Sequence, residues 1–327
     1  MDPNLEDLEA HRGPLTSYCY RMLGSVTDTD DAVQETLVRA VHRFSSYDPD
    51  RARLTTWLHR IATNICVDML RASQRRALAM DLGPASDFGD LGNPLPPSRF
   101  VEPMPDTRLF GDVDGPGVDP AEQVINRESV RLAFIAALQR LAPRQRAALI
   151  LKDVLEFSSK ETAQILDTSV ASVNSALQRA RTTLAADPPT RTDPFDPENA
   201  QQRDLLEGYV QAFESHDLER LTRLLRDDVI SSMPPFAWWV IGSDRIATAM
   251  TASDACADDR LLPTVINGSP GFGQYRPDEH LVLRPFALTL VELRDKRVSH
   301  ICTFLGSGDR FAEFGLPDHP DHLRQER

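Results

Sequence analysis

The feature that most constrains the fold is a stretch in the first half of the chain that is rich in glycine and proline. Residues 77–126 contain fourteen Gly and Pro, and nine acidic side chains against Arg99 and Arg108 give a net charge of −7. Such a composition buries too little apolar surface to offset the entropy lost on ordering. A second break, rich in Pro and Asp, covers residues 187–200. The 327 residues are therefore predicted to form three modules joined by two mobile linkers. These modules are 5–76, 127–186 and 201–318.

The first module is predicted to be a helical bundle. In DAVQETLVRAVHRF the apolar residues from Val33 to Phe44 recur every three or four positions, the period of a helix with one buried face. Asp31, Gln34 and Glu35 lie off that stripe and form an open polar face. The motif TTWLHRIATNICVDMLR predicts a second helix, which has its own buried stripe and its own polar face. That second face carries Arg60, Asn64, Asp68 and Arg71.

The second module is predicted to contain a helix-turn-helix. In SSKETAQILDTSVASVNSALQRAR a buried stripe runs from Ala163 to Leu177, and a turn at residues 167–169 supplies a cap for the second helix. Opposite the stripe lie short polar and basic side chains of the kind that contact base edges in a major groove. These are Ser172, Asn174, Ser175, Gln178, Arg179 and Arg181. A solvated helical hairpin is the alternative interpretation.

The third module has a different pattern, because two helices precede runs of alternating polarity that are typical of strands. This α+β order predicts a curved sheet around helices, with an apolar interior that is either a ligand pocket or an ordinary core. The predicted lining residues are Met233, Phe236, Trp238, Trp239 and Phe304. Candidates for a general base are Asp228, His280 and His300, but none has a spacing typical of catalysis, so structural roles are favoured.

The chain is acidic as a whole, with a formal net charge of −13, yet basic residues are concentrated in two places. Between Arg51 and Arg76 six arginines oppose Asp68 alone, and from Arg140 to Arg181 seven basic residues oppose four acidic ones. Non-specific DNA affinity depends on neutralising phosphates, so an acidic chain is expected to bind DNA weakly by itself. The two basic surfaces are therefore expected to act together with a larger DNA-binding partner.

Several classes of protein are disfavoured. No apolar run approaches the roughly 18–20 residues of a membrane span, and the acidic N-terminus is unlike a signal peptide, so we expect a cytoplasmic protein that does not contact membranes. Cys19, Cys66, Cys256 and Cys302 show no CxxC spacing, which favours reduced core thiols. We predict no metal, no cofactor and no catalytic residue.

Three stretches resemble the extracytoplasmic-function (ECF) sigma factors of bacterial RNA polymerase, over roughly residues 8–186. They are DAVQETLVRA, TWLHRIATNICVDMLR and LAPRQRAALILKDVLEFSSKETAQILDTSVASVNSALQRAR. VNSALQRAR, the MPP-x-x-x-W stretch at Met233–Trp239 and RFAEFGLP together are similar to the sigma-G type of actinobacteria. The third module resembles the SnoaL-like branch of the NTF2 fold. The resemblance implies a multidomain protein with two all-α sigma domains, region 2 and a region 4 helix-turn-helix, plus an α+β NTF2-like cone.

The resemblance also implies partners and site residues. Core RNA polymerase would be bound through its β′ clamp helices, by Asp31, Gln34 and Glu35, and through its β flap. Promoter DNA would be bound at the minus-35 element by the polar face that runs from Ser172 to Arg181. The minus-10 element would be bound by a set of five residues, in which Asn64 lines the pocket for an unstacked base. For Trp57, packing inside the module is the alternative role. That set is Arg53, Trp57, Arg60, Asn64 and Arg71.

The implied function is promoter-specific transcription initiation, modulated within the same chain by the third module, with a small-molecule ligand of that module left open. Two other classes also remain open. A one-component, ligand-responsive repressor predicts a stable dimer and palindromic sites. An enzyme joined to a vestigial sigma region predicts turnover of a small hydrophobic substrate. The polar faces of the first module disfavour both.

Overall fold

The computed structural model describes residues 5–72, 74–86, 91–110, 127–252 and 256–320. The chain separates into two compact units. Unit 1 comprises residues 1–77 and 101–190, and unit 2 comprises residues 78–100 and 191–327. The chain therefore leaves unit 1 after Ala77 and returns to it at Val101.

The helices of the described residues are numbered in chain order: α1 (Leu5–Glu9), α2 (Arg12–Leu23), α3 (Val26–Arg43), α4 (Leu54–Ala72), α5 (Ala79–Leu82), α6 (Asp106–Phe110), α7 (Leu132–Gln139), α8 (Pro143–Leu149), α9 (Ser159–Ile165), α10 (Val170–Ala186), α11 (Ala200–Glu214), α12 (Leu218–Leu224) and α13 (Ser243–Thr251). A π-helical turn, Ile150–Val154, follows α8, and 3-10 turns occur at Phe44–Ser46, Pro97–Arg99 and Gly308–Phe314.

In unit 1, α2, α3 and α4 pack against one another and form the predicted helical bundle. Gly24 ends α2 in the left-handed conformation that glycine adopts easily, and the Ser25 hydroxyl then accepts a hydrogen bond from the Asp28 amide at the start of α3. Val33 and Leu37 are buried, as their spacing predicts. Val41 was expected on the same buried stripe but is 38% exposed, whereas the adjacent Ala40 is buried.

The helix-turn-helix is also present. The Ser158 hydroxyl and the Glu161 carboxylate form a reciprocal capping box at the start of α9. The turn includes Asp167 at a positive φ of 51°, and the Ser169 hydroxyl caps α10 as the sequence predicts. Val170, expected on the buried stripe, is 42% exposed in the first turn of α10. The prediction of two all-α domains is confirmed.

The composition predicted a mobile linker over residues 77–126, and the described part of this stretch differs from that expectation. Phe100, Val101, Met104 and Leu109 are buried, because these few apolar residues lie between prolines and still reach a packed surface. The Glu102 carboxylate accepts hydrogen bonds at the N-terminus of α3, where a negative charge is favourable. Six of the nine acidic residues counted in the stretch lie outside the described residues: Asp87, Asp90, Asp112, Asp114, Asp119 and Glu122.

Unit 2 is built on one six-stranded sheet in the order β2-β1-β6-β5-β4-β3. The strands are β1 (Leu225–Ser232), β2 (Trp239–Ile241), β3 (Arg260–Ile266), β4 (Ser269–Pro277), β5 (Leu283–Arg294) and β6 (Arg297–Leu305). β1 and β6 are parallel, and the other neighbouring pairs are antiparallel. Residues of α11, α12 and α13 pack with one face of the sheet around a core that contains Tyr209, Leu221, Ile246 and Phe272. The predicted α+β fold is confirmed.

None of the helices in the described ranges combines the length and the low polarity needed to cross a membrane. The four cysteines are free thiols, and Cys19, Cys66 and Cys302 are buried. Burial raises the pKa of the Cys302 thiol to about 12, so this thiol is protonated at neutral pH.

Candidate nucleic-acid and polymerase interfaces

The exposed face of α4 contains most of the predicted minus-10 residues. Arg60, Asn64 and Arg71 are exposed on one side of the helix, and Arg53 is exposed immediately before its first turn. The Arg71 guanidinium is 2.9 Å from the Asp68 carboxylate on the next turn back. The face therefore presents cations and one amide to solvent, a combination that can contact phosphates and a base edge.

Trp57 lies at the edge of this face and packs in an aromatic cluster. Its ring centroid is 5.3 Å from that of Tyr47 and 6.2 Å from that of Phe44. The side chain is half-buried, so the structure gives it a packing role and leaves part of the ring accessible. At the end of the basic stretch, Arg76 is buried and pairs with Asp28 at 2.8 Å and with Glu102 at 3.3 Å. Arg76 therefore does not belong to the exposed cationic surface, although the charge count had included it.

The exposed face of α3 carries the residues predicted to bind polymerase. Asp31 and Gln34 are exposed, and the half-buried Glu35 forms an ion pair of 2.6 Å with Arg39 one turn later. The same side of the helix continues with Val38, which the sequence reasoning missed, and with Val41, which it had placed on the buried stripe. They are 39% and 38% exposed. Val38 lies seven positions after Asp31, so helical spacing alone could have identified it.

All six residues predicted for the minus-35 element are exposed on α10: Ser172, Asn174, Ser175, Gln178, Arg179 and Arg181. The Arg181 guanidinium makes bidentate hydrogen bonds of 2.7–3.1 Å to the Asp153 carboxylate. The helix-turn-helix thus presents a continuous polar face in which Arg181 already has an acidic partner within the same module.

Residues of the first two modules contact each other within unit 1. Arg53 forms an ion pair with Glu161 of α9, and the Arg60 guanidinium is 3.2 Å from the carboxylate of Asp167. Partial burial acts to raise the pKa of the Glu161 carboxyl, but hydrogen bonds from Ser158 and Arg53 outweigh it and lower that pKa. Two of the predicted minus-10 arginines are therefore occupied by carboxylates of the helix-turn-helix.

Two buried arginines lie where α2 meets the segment that contains α7 and α8. The Arg21 guanidinium donates to the Ser129 hydroxyl at 2.7 Å and to the Ser17 hydroxyl at 2.6 Å. Arg146 donates to the Met22 carbonyl and to the Gln139 side-chain oxygen. Burial lowers the pKa of Arg21 to about 10 and that of Arg146 to about 9. Neither guanidinium has a carboxylate partner among the described residues, so both carry uncompensated positive charge in this interface.

Unit 2 contains a cavity of about 540 Å³, and only two of the five predicted lining residues line it. Met233 and Trp238 line the cavity. Phe236 packs against the apolar core, and the Trp239 indole donates a hydrogen bond of 3.0 Å to the Gly83 carbonyl instead. Phe304 was also predicted to line the cavity, and this prediction is wrong. Ile301, Thr303 and Leu305 of β6 line the cavity. Because successive side chains of a strand point to opposite faces, Phe304 lies on the other face of the sheet.

None of the three candidate general bases lines this cavity. Asp228 is paired with Arg226 and Arg294, and hydrogen bonds from these two guanidinium groups lower its pKa to about 2. His280 is exposed, and His300 is buried between the Ser232 hydroxyl at 3.2 Å and the Glu292 carboxylate at 3.5 Å. Within the described ranges, no cluster of three or more His, Cys, Asp or Glu side chains is arranged to hold a metal ion.

Comparison with known proteins agrees with this architecture. The family model for sigma-70 region 2 matches residues 8–76, and that for sigma-70 region 4 matches residues 131–184. The ECF RNA polymerase sigma factor SigG of Mycobacterium tuberculosis is 42% identical over 97% of this chain and 86% of its own length. SigJ of the same organism is 28% identical over 74% of this chain and 70% of its own length.

The crystal structure of Mycobacterium tuberculosis SigJ has the same fold, with a TM-score of 0.62 and 22% identity, and the match covers 96% of this chain and all of that one. The identity to SigG over nearly the whole chain, together with the two region matches, establishes the family. The chain belongs to the extracytoplasmic-function RNA polymerase sigma factors, which bind core RNA polymerase and direct transcription initiation at promoters.

Proposed function

We propose that the exposed face of α4 captures the opened minus-10 element. Arg53, Arg60 and Arg71 would neutralise phosphates, while the Asn64 amide would hydrogen-bond an unstacked base on its Watson–Crick edge. Trp57 would lie at the border of this surface, next to the aromatic cluster. The exposure of the Asn64 amide between basic side chains on one helix face is the observation that carries this assignment.

The polar face of α10 is proposed to contact the minus-35 element in the major groove. Its exposed amide, hydroxyl and guanidinium groups offer both donors and acceptors, which is what discrimination among base edges requires. On α3, Asp31, Gln34 and Glu35 together with exposed Val38 and Val41 are proposed to dock on the β′ clamp helices, and the helix-turn-helix module on the β flap. Charge complementarity at such a surface mainly accelerates encounter and fixes orientation.

The described contact between the first two modules is proposed to be the form that the chain adopts without polymerase. A protein that binds two promoter elements must separate its two DNA-binding modules, and here Arg53 and Arg60 are paired with Glu161 and Asp167. The desolvation of Arg21 and Arg146 disfavours the contact, since each cation recovers its hydration when the modules separate. Binding of polymerase would then shift the equilibrium towards the separated form.

The C-terminal domain is proposed to modulate activity within the chain by holding part of the connection between regions 2 and 4. Residues 78–100 belong to unit 2, and the Ser86 amide donates to the Trp239 carbonyl at 2.8 Å. The Leu95 amide likewise donates to the Pro235 carbonyl at 2.8 Å. These hydrogen bonds between the connection and the C-terminal domain support a regulatory role for that domain. Association with bacterial polymerase implies action in the cytoplasm.

Reconstitution with core RNA polymerase on randomised promoters tests this function. We expect full-length chain to give sequence-specific transcripts, while the chain alone shifts promoter DNA weakly because its net charge is −13. A truncation after Ala186 should change promoter output, because it removes the domain that holds residues 78–100. Tight, polymerase-independent binding to palindromic DNA would contradict the proposal and favour a repressor.

A further inference from the structure

The cavity of unit 2 has an apolar wall and one polar end. The wall is formed by aromatic and aliphatic side chains that include Tyr209, Phe213, Met233 and Trp238. Its volume of about 540 Å³ lies within the range of about 300–1,000 Å³ that is usual for small-molecule sites. A molecule that fills this space must therefore be largely apolar.

The polar end of the cavity is electrically neutral. Arg276 lines it, but its guanidinium is 2.7 Å from the buried carboxylate of Asp259 and stacks 3.7 Å from the ring centroid of Phe286. The Gln274 side chain also donates to Asp259, and the hydroxyls of Thr289 and Thr303 are 3.4 Å apart. Because the cation is already neutralised, an anionic ligand would lose hydration without gaining an unpaired positive charge. The threonine hydroxyls can instead exchange a hydrogen bond with a carbonyl or hydroxyl group.

The segment between regions 2 and 4 supplies part of the cavity wall. We call residues 83–86 and 91–95 the strap. The strap is fixed to β2 and to the loop before it by four hydrogen bonds. The Ser86 amide donates to the Trp239 carbonyl at 2.8 Å, and the Trp239 amide donates to the Ser86 hydroxyl at 3.4 Å. The Trp239 indole donates to the Gly83 carbonyl at 3.0 Å, and the Leu95 amide donates to the Pro235 carbonyl at 2.8 Å. Leu91 lines the cavity and is still 38% exposed. A ligand in the cavity would therefore cover apolar surface that this leucine leaves open.

We infer that the cavity binds a neutral, largely apolar molecule with one carbonyl or hydroxyl group, and that this molecule holds the strap on the C-terminal domain. The coupling follows from linkage, because a ligand that contacts Leu91 binds the strapped form more tightly than the form with the strap released. The consequence for transcription rests on the proposed function: residues held in the strap are not free to follow the polymerase surface between the two promoter elements. Occupancy of the cavity should therefore lower initiation.

Binding is tested on the full chain with prodan, a neutral naphthyl ketone whose emission shifts to the blue in apolar sites, and with the anionic probe anilinonaphthalene sulfonate. We expect saturable binding of one prodan per chain and weaker binding of the sulfonate. The Leu91→Ala variant should weaken prodan binding about three- to tenfold, because part of the wall is removed. Leu281→Ala is the matched control, since Leu281 is 83% exposed and does not line the cavity. Equal affinities of Leu91→Ala and the wild type, or a preference for the sulfonate, would overturn the inference.

Strap retention is tested by hydrogen exchange at the Ser86 and Leu95 amides, without polymerase. Protection of both amides should rise at least threefold when prodan is added, and the rise should shrink in Leu91→Ala. Unchanged protection at saturating prodan would refute the coupling even if sigma activity is intact. In reconstituted transcription, prodan should lower output from the wild type more than from Leu91→Ala. Equal inhibition of the two would show that the strap does not transmit the effect.

Discussion

Replacing Glu161 with glutamine and Asp167 with asparagine removes both carboxylates that pair with Arg53 and Arg60. The double variant is conservative at each position. Glutamine can keep the capping box with Ser158 at the start of α9, and asparagine adopts the positive φ of 51° at residue 167 readily. Any change in the contact between regions 2 and 4 is therefore attributable to the lost charges.

The size of the effect follows from exposure. The side chains of Arg53 and Asp167 are 69% and 78% exposed, so solvent screens both pairs. Exposed ion pairs contribute about 0.2–1 kcal/mol each, and this exposure favours the lower part of that range. The two pairs together should contribute about 0.5–1 kcal/mol, which is a two- to fivefold shift of the equilibrium towards separated modules.

Spin labels at Asp68→Cys and Gln164→Cys, in a Cys256→Ser background, report the distance between α4 and α9. The population at long distance should increase about two- to fivefold in the double variant, and affinity for core polymerase should rise in parallel. High salt should open the wild type but have little further effect on the variant. Asp153→Asn with Glu219→Gln is the control, because it removes the same formal charge without touching either pair. A variant with wild-type distances and wild-type salt dependence would refute the reasoning.

Three further predictions follow. Asn64→Ala should reduce discrimination at the minus-10 element by about 1–3 kcal/mol, measured as relative transcription from templates with single-base changes, whereas unaltered discrimination would remove Asn64 from the site. Burial lowers the pKa of His59 from its ordinary value of 6.5 to about 4 in the folded protein. As the pH falls below 6.5, His59 is therefore protonated in the unfolded chain before it is protonated in the folded one. Unfolding free energy should therefore drop by about 2 kcal/mol between pH 7 and pH 5 in urea titrations, and a His59→Gln variant should show a smaller drop. Gly273→Ala should destabilise unit 2 by about 1–3 kcal/mol in thermal unfolding, because its Cβ would lie 2.6 Å from the Leu316 side chain. Gly13→Ala, which has open space, should not destabilise the protein.

Strand β4 shows where periodicity fails. Its sequence, SPGFGQYRP, is rich in glycine and proline and gives no strand signal, yet it pairs on both sides in the sheet. The glycines are needed because Ile266 and Leu316 pack closely against the backbone at Gly271 and Gly273. The approach of Leu316 to Gly273 joins residues distant in sequence and is a tertiary property, so a local pattern cannot reveal it. The same holds for Phe304, whose face is set by the strand pairing of β6.

By itself the sequence determined α3, α4, α9 and α10, the cap at Ser169 and the exposed faces with Asn64 and with Gln178, because helical period and capping are local properties. Only the tertiary structure decided that Glu102 caps α3 and that residues 78–100 belong to the C-terminal unit. It alone paired Arg53 with Glu161, 108 positions apart. Which charges meet depends on how distant segments pack, and composition counts charges without placing them.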